Sequence, residues 1–206
     1  MTHHLNHPLV ATKLTRLRDQ ATDSETFRRT VRELAAFLVP AVTADFATDT
    51  VPCQTPLETT DGSRLTRPII LAPVLRAGLG MLEGFLSLLP EASVAHVGLA
   101  RDEETLEPAS YYFRVPPNLA EAEIIVVDPM LATGGSAIEA IRQLREAGAE
   151  RIRLACLVAA PEGIAALEKA CPDVPLFTTA VDRQLNQRGY ILPGLGDAGD
   201  RIFGTT

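Results

Sequence analysis

Long apolar runs are absent from this sequence. No stretch approaches the roughly eighteen apolar residues that a membrane-spanning helix needs, so we expect no membrane partner. The N-terminal segment MTHHLNHPLV also lacks the basic region and the apolar core of a secretory signal peptide. Together these two absences predict a cytoplasmic protein.

Metal-binding patterns are absent as well. The three cysteines, Cys53, Cys156 and Cys171, and the four histidines follow none of the spacings that hold zinc or other metals. We therefore predict free, reduced thiols and no metal ligand supplied by the protein. His3 and His4 are interpreted as part of a solvated N-terminal segment.

Positive charge is scarce. The chain of 206 residues has 19 Lys and Arg against 26 Asp and Glu, which gives a net charge of -7. Proteins that bind DNA or RNA usually present a basic surface, so we expect no nucleic acid partner. A small anionic ligand is compatible with this balance, because a few arginines are enough to bind one phosphate group.

What is present is a regular alternation of apolar strands and helices. With 46% apolar residues, the chain is long enough for one α/β domain with a good core. This pattern predicts an α/β fold with a mostly parallel central sheet and helices on both faces. The predicted strands are 68–75, 93–100, 123–128, 151–160 and 175–181, and the predicted helices are 10–19, 77–90, 135–147 and 161–171.

A further helix is predicted ahead of these strands. Thr22 and Glu25 form a capping box, with Thr22 as the N-cap and Glu25 at N3. Apolar residues then recur at helical spacing as far as Pro40, which ends the helix or directly follows it.

Additional β structure is predicted outside the main sheet. Residues 51–66 have the pattern of a hairpin whose turn is Asp61-Gly62. The aromatic stretch 109–117 is interpreted as a separate strand that two prolines end. The tail from Gly189 onward has too many glycines for regular structure and is expected to be an ordered, irregular segment.

One loop has the features of an anion-binding site. Residues 124–138 read IIVVDPMLATGGSAI, which is a buried strand followed by Asp128, a glycine-rich turn and a helix. The loop lacks the lysine of a P-loop, but amides at a helix N-terminus bind phosphate without one. Asp128 at the strand end can accept hydrogen bonds from ribose hydroxyls. The loop therefore predicts a ribose 5-phosphate site; the alternative is an ordinary turn capped by Thr or Ser.

Two arginines follow other predicted strands. Arg76 lies in the turn after strand 68–75, a position that suits a second anionic group. The alternative is that the glycines at 78, 80 and 84 only let a helix pack closely. Arg101 begins the charged loop 101–108, and such loops are usually solvated. It is a candidate ligand only in combination with Arg76.

The tail GYILPGLGDAGDRIFGTT matches G-x-G-x-x-G at Gly194, Gly196 and Gly199. A dinucleotide-binding fingerprint is rejected, because it needs a following helix and an acidic residue about 20 positions further on. Glycines in this number indicate a close approach of the backbone to something, and main-chain groups alone could recognise a flat polar ring. The alternative is an ordered loop packed on the domain.

Four segments together resemble one family. PVLRAGLGM, GLARDEETLEP, VVDPMLATGGSA and GYILPGLGDAGDR are similar, in this order, to segments of the uracil phosphoribosyltransferases, and HPLVATKLTRLRD and TPL also look like that family. The resemblance implies the type I phosphoribosyltransferase fold with a C-terminal hood. It implies one domain over 1–206, with N-terminal helices at about 8–40, a core at about 65–182 and the hood at about 183–206.

The activity implied by the resemblance is transfer of the phosphoribosyl group from phosphoribosyl pyrophosphate (PRPP) to uracil, giving UMP and pyrophosphate in pyrimidine salvage. The resemblance also implies that Mg²⁺ binds together with the pyrophosphate, that GTP is an activator, and that the protein assembles into a dimer or tetramer. This chain departs from the family at 40–44, where Ala41 and Ala44 replace a Glu and an Arg.

The same resemblance implies roles for individual residues. Arg76, Arg101, Asp128 and Asp197 are the implied catalytic residues. The implied uracil contacts, made largely by backbone, are Ile191, Gly196, Asp197 and Ala198. The implied PRPP contacts are Arg76, Arg101, Asp128, Pro129, Met130, Leu131, Ala132, Thr133, Gly134, Gly135, Ser136 and Asp197.

Two other functions remain open from the sequence. One is a regulator of the same fold that senses PRPP or nucleotides, which the negative net charge disfavours as an RNA binder. The other is a phosphoribosyltransferase for a different base, which the glycine-rich tail disfavours.

Overall fold

The computed structural model describes residues 1–101 and 108–205. Within these ranges the helices are α1 (Pro8–Arg18), α2 (Ser24–Val42), α3 (Leu79–Leu86), α4 (Gly135–Glu146), α5 (Pro161–Ala170) and α6 (Ala198–Phe203), with a short 3-10 helix at Leu119–Glu121. The strands are β1 (Thr2–His4), β2 (Thr48–Gln54), β3 (Thr59–Leu65), β4 (Ile69–Leu75), β5 (Ser93–Val94), β6 (His96–Arg101), β7 (Pro108–Arg114), β8 (Glu123–Val127), β9 (Met130–Leu131), β10 (Arg151–Ala159), β11 (Leu176–Val181), β12 (Gln184–Leu185) and β13 (Ile191–Leu192).

A nine-stranded sheet organises the molecule, with the order β1-β11-β10-β8-β4-β6-β7; β5 pairs with β4 and β9 with β10. All of these pairs are parallel except β6 with β7, which is antiparallel. The prediction of a mostly parallel sheet is confirmed. Among the helices of the described residues, none is long and apolar enough to cross a membrane.

The sheet is buried on both faces, as the apolar strands predicted. Along β8, Ile125 and Val127 point into a core formed with α1, α2 and α3. Ile124 and Val126 alternate with them and point into a second core under α4 and α5. Helices therefore cover both faces, because side chains of successive strand residues point to opposite sides.

The start and end of α2 differ from the prediction. The N-cap is Asp23, whose carboxylate accepts from the Thr26 amide at 2.8 Å, and Thr22 instead donates to the Arg16 carbonyl. Both residue types suit an N-cap, and the carboxylate takes the role one residue later. The helix also continues past Pro40 to Val42, which is fully buried, so packing outweighs the hydrogen bond lost at proline.

The hairpin is present, but its turn was predicted in the wrong place. β2 and β3 are joined at Thr55–Glu58, where the Thr55 hydroxyl donates to the Glu58 carbonyl at 2.7 Å. Asp61 and Gly62 instead pair with Pro52 and Val51 inside the ladder. A turn with Pro56 at its second position, closed by a threonine hydroxyl, is more stable here than the Asp-Gly turn.

One further expectation is wrong and another is refined, because additional strands pair with both edges of the sheet. The aromatic strand β7 is not outside the main sheet but pairs with β6 at its edge. His3 and His4 are exposed to solvent, as expected, but their segment is a regular strand, because β1 pairs with β11 at the opposite edge. The His3 ring stacks on Phe177 with centroids 4.6 Å apart.

Close packing through glycine is confirmed for α3. A Cβ built at Gly84 would lie 2.2 Å from the Arg32 carbonyl oxygen of α2, so only glycine fits at this helix crossing. This packing places the start of α3, and with it the turn that contains Arg76, at the carboxyl end of β4. All three cysteines are free, as predicted.

Candidate active site

A cleft of about 420 Å³ lies at the carboxyl ends of β4 and β8. In an open α/β sheet this edge is where ligands bind. Six of the predicted site residues line it together, although they come from three distant parts of the sequence. These six are Arg76, Asp128, Met130, Ala132, Asp197 and Ala198.

Asp128 directly follows β8 at the bottom of this cleft. Its amide donates to the Ala155 carbonyl at 3.1 Å, which fixes the residue to β10. Its carboxylate accepts a long hydrogen bond of 3.4 Å from the Met130 amide. Burial raises the pKa of the carboxyl group to about 7, and the bond from Met130 only partly offsets that effect. A carboxyl group with so perturbed a pKa in a cleft is a functional-site candidate.

The loop after Asp128 is attached to β10 before it reaches the helix. The Pro129 carbonyl accepts from the amides of Leu157 and Val158 at 3.0 and 3.1 Å, and β9 then pairs with β10. Pro129 is buried and lines neither the cleft nor the smaller cavity beside it. Its role is therefore to hold the loop, and only its neighbours face a ligand.

The N-terminus of α4 faces a smaller cavity of about 60 Å³ that adjoins the cleft. The N-cap is Gly134, with φ of 86°, and no side chain caps the helix. The alternative of an ordinary turn capped by Thr or Ser is therefore wrong. Helix amides that no side chain occupies form an anion site. The predicted residues that line this cavity are Asp128 and Met130 to Ser136.

Arg76 lies on the opposite side of the cleft, just after β4. Its side chain is 57% exposed, and its Nη2 lies 3.4 Å from Asp200 Oδ1. Arg101 ends β6, which pairs in parallel with β4, so the backbone at Arg101 is at the same edge of the sheet. The Arg101 side chain and the loop at 102–107 lie outside the described residues.

The tail forms the wall above the cleft and is more regular than expected. β12 and β13 make a short antiparallel hairpin, and Asp197 caps α6 by accepting from the Asp200 amide at 3.0 Å. Arg201 of α6 donates to the carbonyls of Leu17 and Leu195 at 2.7 and 2.8 Å. The hood, defined here as residues 183–205, is thus fastened to α1.

Sequence reasoning missed some cleft residues and included others that do not line it. Ile191 is buried in the core and Gly196 is exposed, and neither is among the residues that line the cleft, so any contact they make with a ligand is through backbone. Three of the missed residues lie between β12 and β13, two-residue strands that are too short to give a periodic pattern, and the other two directly follow the predicted Arg76 and Ala198. The missed lining residues are Ala77, Arg188, Gly189, Tyr190 and Gly199.

Comparison with solved structures defines the class of protein. A hypoxanthine-guanine phosphoribosyltransferase from Bacillus anthracis superposes with a TM-score of 0.53 at 12% identity, covering 77% of this chain and 80% of that one. A solved structure from Aquifex aeolicus superposes with a TM-score of 0.95 at 37% identity, covering 100% and 99%. The fold is that of the type I phosphoribosyltransferases, as predicted.

Sequence comparison gives the family within that class. The profile described as uracil phosphoribosyltransferase matches residues 4–205. A uracil phosphoribosyltransferase from Mesorhizobium japonicum is 53% identical over 202 residues, covering 98% of this chain and 97% of the relative. This chain belongs to the uracil phosphoribosyltransferase family.

Proposed function

We propose that the protein transfers the 5-phosphoribosyl group of PRPP to uracil, giving UMP and pyrophosphate, and so serves pyrimidine salvage. One observation carries the proposal beyond family membership. The carboxyl group of Asp128, the helix amides and the hood line adjoining cavities of the size of a nucleotide, at the edge of the sheet where ligands bind.

The 5′-phosphate of PRPP occupies the smaller cavity in this proposal. The amides of residues 133–136 and the dipole of the twelve-residue helix α4 attract an anion there. The Thr133 and Ser136 hydroxyls supply further donors. A lysine is not needed, because this phosphate is a spectator that the reaction does not cleave.

The ribose lies over Asp128. An ionised carboxylate accepts hydrogen bonds from the 2′- and 3′-hydroxyls, and these bonds favour its charged form. Since burial, only partly offset by the Met130 amide, raises the pKa of Asp128 to about 7, ribose binding is expected to lower that pKa. Asp128 therefore couples substrate binding to loss of a proton from the carboxyl group near neutral pH.

The pyrophosphate is bound by Arg76 and Arg101. Guanidinium groups pair with phosphate oxygens through two parallel hydrogen bonds. As the bond between C1 and the pyrophosphate oxygen breaks, its electron pair stays on the pyrophosphate and increases its negative charge. The two arginines thus stabilise the transition state more than the bound substrate.

Mg²⁺ is proposed to enter with PRPP rather than through a protein site. Among residues 1–101 and 108–205, no group of three His, Cys, Asp or Glu side chains could hold a metal ion. Mg²⁺ prefers phosphate oxygens and keeps several of its waters, so carboxylates such as Asp128 and Asp197 fit it through water. When bound, it would neutralise charge on the pyrophosphate.

Uracil is recognised by the hood in this proposal. Backbone groups at Ile191, Gly196, Asp197 and Ala198 bond the ring edge, and N1 attacks C1 of the ribose while its proton leaves to Asp197, pyrophosphate or water. A backbone N–H facing the 4-carbonyl of uracil would face the amine of cytosine instead. Recognition of this kind discriminates by about 10⁴-fold or more.

GTP activation is proposed at a second cavity of about 430 Å³ between α2, α3 and α6, where three arginines collect. Arg28, Arg29 and Arg32 lie on one side of α2 and would attract a triphosphate, which would have to displace the contact of 3.3 Å between Arg32 and Glu83. Glu25 and Glu83 also line this cavity. The family departure at Ala41 begins about 20 Å further along the helix axis and leaves this charge in place. If GTP raises turnover in the wild type but not in Arg29→Gln, the proposal holds; no response in the wild type contradicts it.

The remaining proposals concern assembly and location. We propose a location in the cytoplasm. We also propose a dimer or tetramer, because the β2–β3 hairpin leaves Leu57 94% exposed. Burying such a side chain against another subunit is favourable. Sedimentation velocity of the full chain would detect the assembly, and a monomer at micromolar concentration would contradict it.

One assay tests the central proposal. The protein is incubated with PRPP, Mg²⁺ and labelled uracil, and UMP is measured; cytosine, orotate and hypoxanthine are run in parallel. We expect UMP to form with uracil, and no nucleotide product to form with the other three bases. Faster turnover of another base would indicate a different phosphoribosyltransferase, and binding of PRPP without turnover would indicate a nucleotide-sensing regulator.

A further inference from the structure

An ion pair between a half-buried arginine and a buried aspartate lies beneath the hood, outside the cleft. Asp182 directly follows β11, and its side chain is 5% exposed. The Arg18 guanidinium, at the end of α1, donates to both of its carboxylate oxygens, at 2.8 and 2.7 Å. The Arg18 side chain is 26% exposed, so the buried charge is that of Asp182, and burying a charge is costly unless its oxygens are bonded.

The third partner of this ion pair is the peptide backbone of the hood. The Gly194 amide donates to Asp182 Oδ2 at 2.8 Å, and the Gly194 carbonyl accepts from Arg18 Nη1 at 3.1 Å. Both polar groups of one residue are thus held by two charged side chains. The Asp182 amide also donates to the Ala159 carbonyl at 2.8 Å, which fixes the arrangement to the end of β10.

The position of Gly194 explains why this matters. Two residues later begins the segment Gly196 to Ala198, whose backbone is proposed to bond uracil. A side chain can change rotamer to find a ligand, but a peptide group is aimed only by the chain on either side of it. Recognition by backbone therefore requires that the preceding turn be fixed to a fraction of an ångström.

We infer that Arg18 and Asp182 are positioning residues for the uracil site, which act by holding both peptide groups of Gly194. Neither side chain lines the cleft, so neither touches the substrates directly. The inference rests on the proposed function, because it assigns these residues to the base and not to PRPP. Their variants should therefore weaken uracil use while leaving PRPP binding intact.

The sharpest test keeps the positive charge at position 18 and removes the two-pronged hydrogen bonding of the guanidinium group. Arg18→Lys preserves the positive charge, but one ammonium nitrogen cannot reproduce the planar fork that bonds both Asp182 oxygens and the Gly194 carbonyl. We expect the KM for uracil to rise about tenfold or more and the KM for PRPP to change less than about twofold. Asp182→Asn should show the same split, because the amide presents a donor to a guanidinium that has only donors.

A matched control is available at the far end of α4. Arg145 Nη2 alone donates to both carboxylate oxygens of Asp173 at 2.7 Å, so Arg145→Lys makes the same substitution in an arginine–carboxylate pair away from the cleft, at a contact that one nitrogen can make. Its two KM values should stay at the wild-type level. If Arg18→Lys lowers the melting temperature yet leaves both KM values unchanged, or raises them equally, the positioning role is refuted.

A second measurement does not depend on activity. In Arg18→Lys, amide hydrogen exchange should accelerate in the peptide that contains Gly194 to Ala198 and remain unchanged in the peptide that contains residues 133–136. Unchanged exchange at Gly194 to Ala198 overturns the inference even if uracil use is altered. Failure of the wild type to form UMP would refute the proposed function alone, since the exchange pattern still decides whether the ion pair fixes the hood.

Discussion

The Asp128 carboxylate accepts a hydrogen bond of 3.4 Å from the Met130 amide. A bond of this length compensates poorly for the water that burial removes, so the pKa of Asp128 rises to about 7. The Asp128 carboxylate can therefore accept further hydrogen bonds from donors that a ligand supplies. The ionised Asp128 carboxylate destabilises the free protein. The same carboxylate favours binding of a ring that carries several hydroxyl groups. These two effects give two separate expectations.

The first expectation concerns stability. Between the ordinary pKa of 3.8 and about 7, the folded protein keeps a proton on Asp128 that the unfolded chain has lost, so stability falls as pH rises through this window. Asp128→Asn should unfold like the wild type near pH 4 and be more stable by about 1–3 kcal/mol at pH 8. Urea denaturation of both proteins at the two pH values measures this.

Asp173→Asn is a control in which the expected change of stability with pH has the opposite sign. Arg145 lowers the pKa of Asp173, so this carboxylate contributes stability above its unfolded pKa that is lost on acidification. Its replacement should destabilise the protein near neutral pH and not in acid. Equal pH profiles for Asp128→Asn and the wild type would show that Asp128 is ordinary in the folded state.

The second expectation concerns catalysis. The pH dependence of kcat/KM reports groups of the free enzyme, so kcat/KM for PRPP should rise with pH and level off above about 7 as Asp128 ionises. Asp128→Asn should lower kcat/KM for PRPP by about 10²-fold or more. The residual kcat/KM of this variant should not rise with pH between about 5 and 7. Steady-state kinetics over about pH 5 to 9 tests it, and a rise that persists in the variant assigns the proton elsewhere.

Gly134 is expected to be essential at the start of α4. With φ of 86° and a built Cβ only 3.2 Å from the Gly163 carbonyl oxygen, Gly134→Ala is both strained and crowded. We expect a loss of about 1–2 kcal/mol in the free energy of unfolding and a large loss of PRPP binding. Calorimetric titration with PRPP and thermal unfolding measure the two effects.

Gly148→Ala separates these two effects. Gly148 has φ of 101° and open space where its Cβ would be, at the other end of the same helix. It should lose comparable stability and bind PRPP normally. If both variants lose binding equally, general destabilisation of α4 and not the shape of the phosphate site is responsible.

Arg76 is expected to matter for turnover and little for stability. Its contact with Asp200 is long and exposed, and such surface ion pairs contribute little. Arg76→Ala should therefore leave the melting temperature nearly unchanged and lower kcat about 10²-fold, because charge on the leaving pyrophosphate is no longer stabilised. Arg101→Ala is expected to behave in the same way.

Arg183→Ala provides the comparison for Arg76→Ala. Arg183 is an exposed hood residue that does not line the cleft, so the net charge changes equally while the proposed site is untouched. Its kinetics should match the wild type. A similar loss of kcat in both variants would mean that long-range charge, not a contact with pyrophosphate, explains the effect of Arg76.

Local patterns in the sequence carried much of the fold and the centre of the site. The apolar runs at 69–75 and 124–127 were sufficient for buried parallel strands, because burial on both faces leaves no room for polar alternation. The order strand, Asp128, glycine turn and helix placed an anion site in one short segment. Such features are readable because every group that defines them is close in sequence.

Tertiary structure alone decided the rest, since the interactions involved join distant residues. The hairpin turn at Thr55, the edge position of β7 and the pairing of β1 depend on which neighbours the sheet offers. The raised pKa of Asp128 depends on the water that surrounding chain excludes. Arg18 and Asp182, 164 residues apart, meet only because α1 and β11 end beneath the same turn of the hood. Sequence thus determined the segments proposed to bind phosphate and ribose, whereas folding determined how the hood, proposed to bind the base, is positioned beside them.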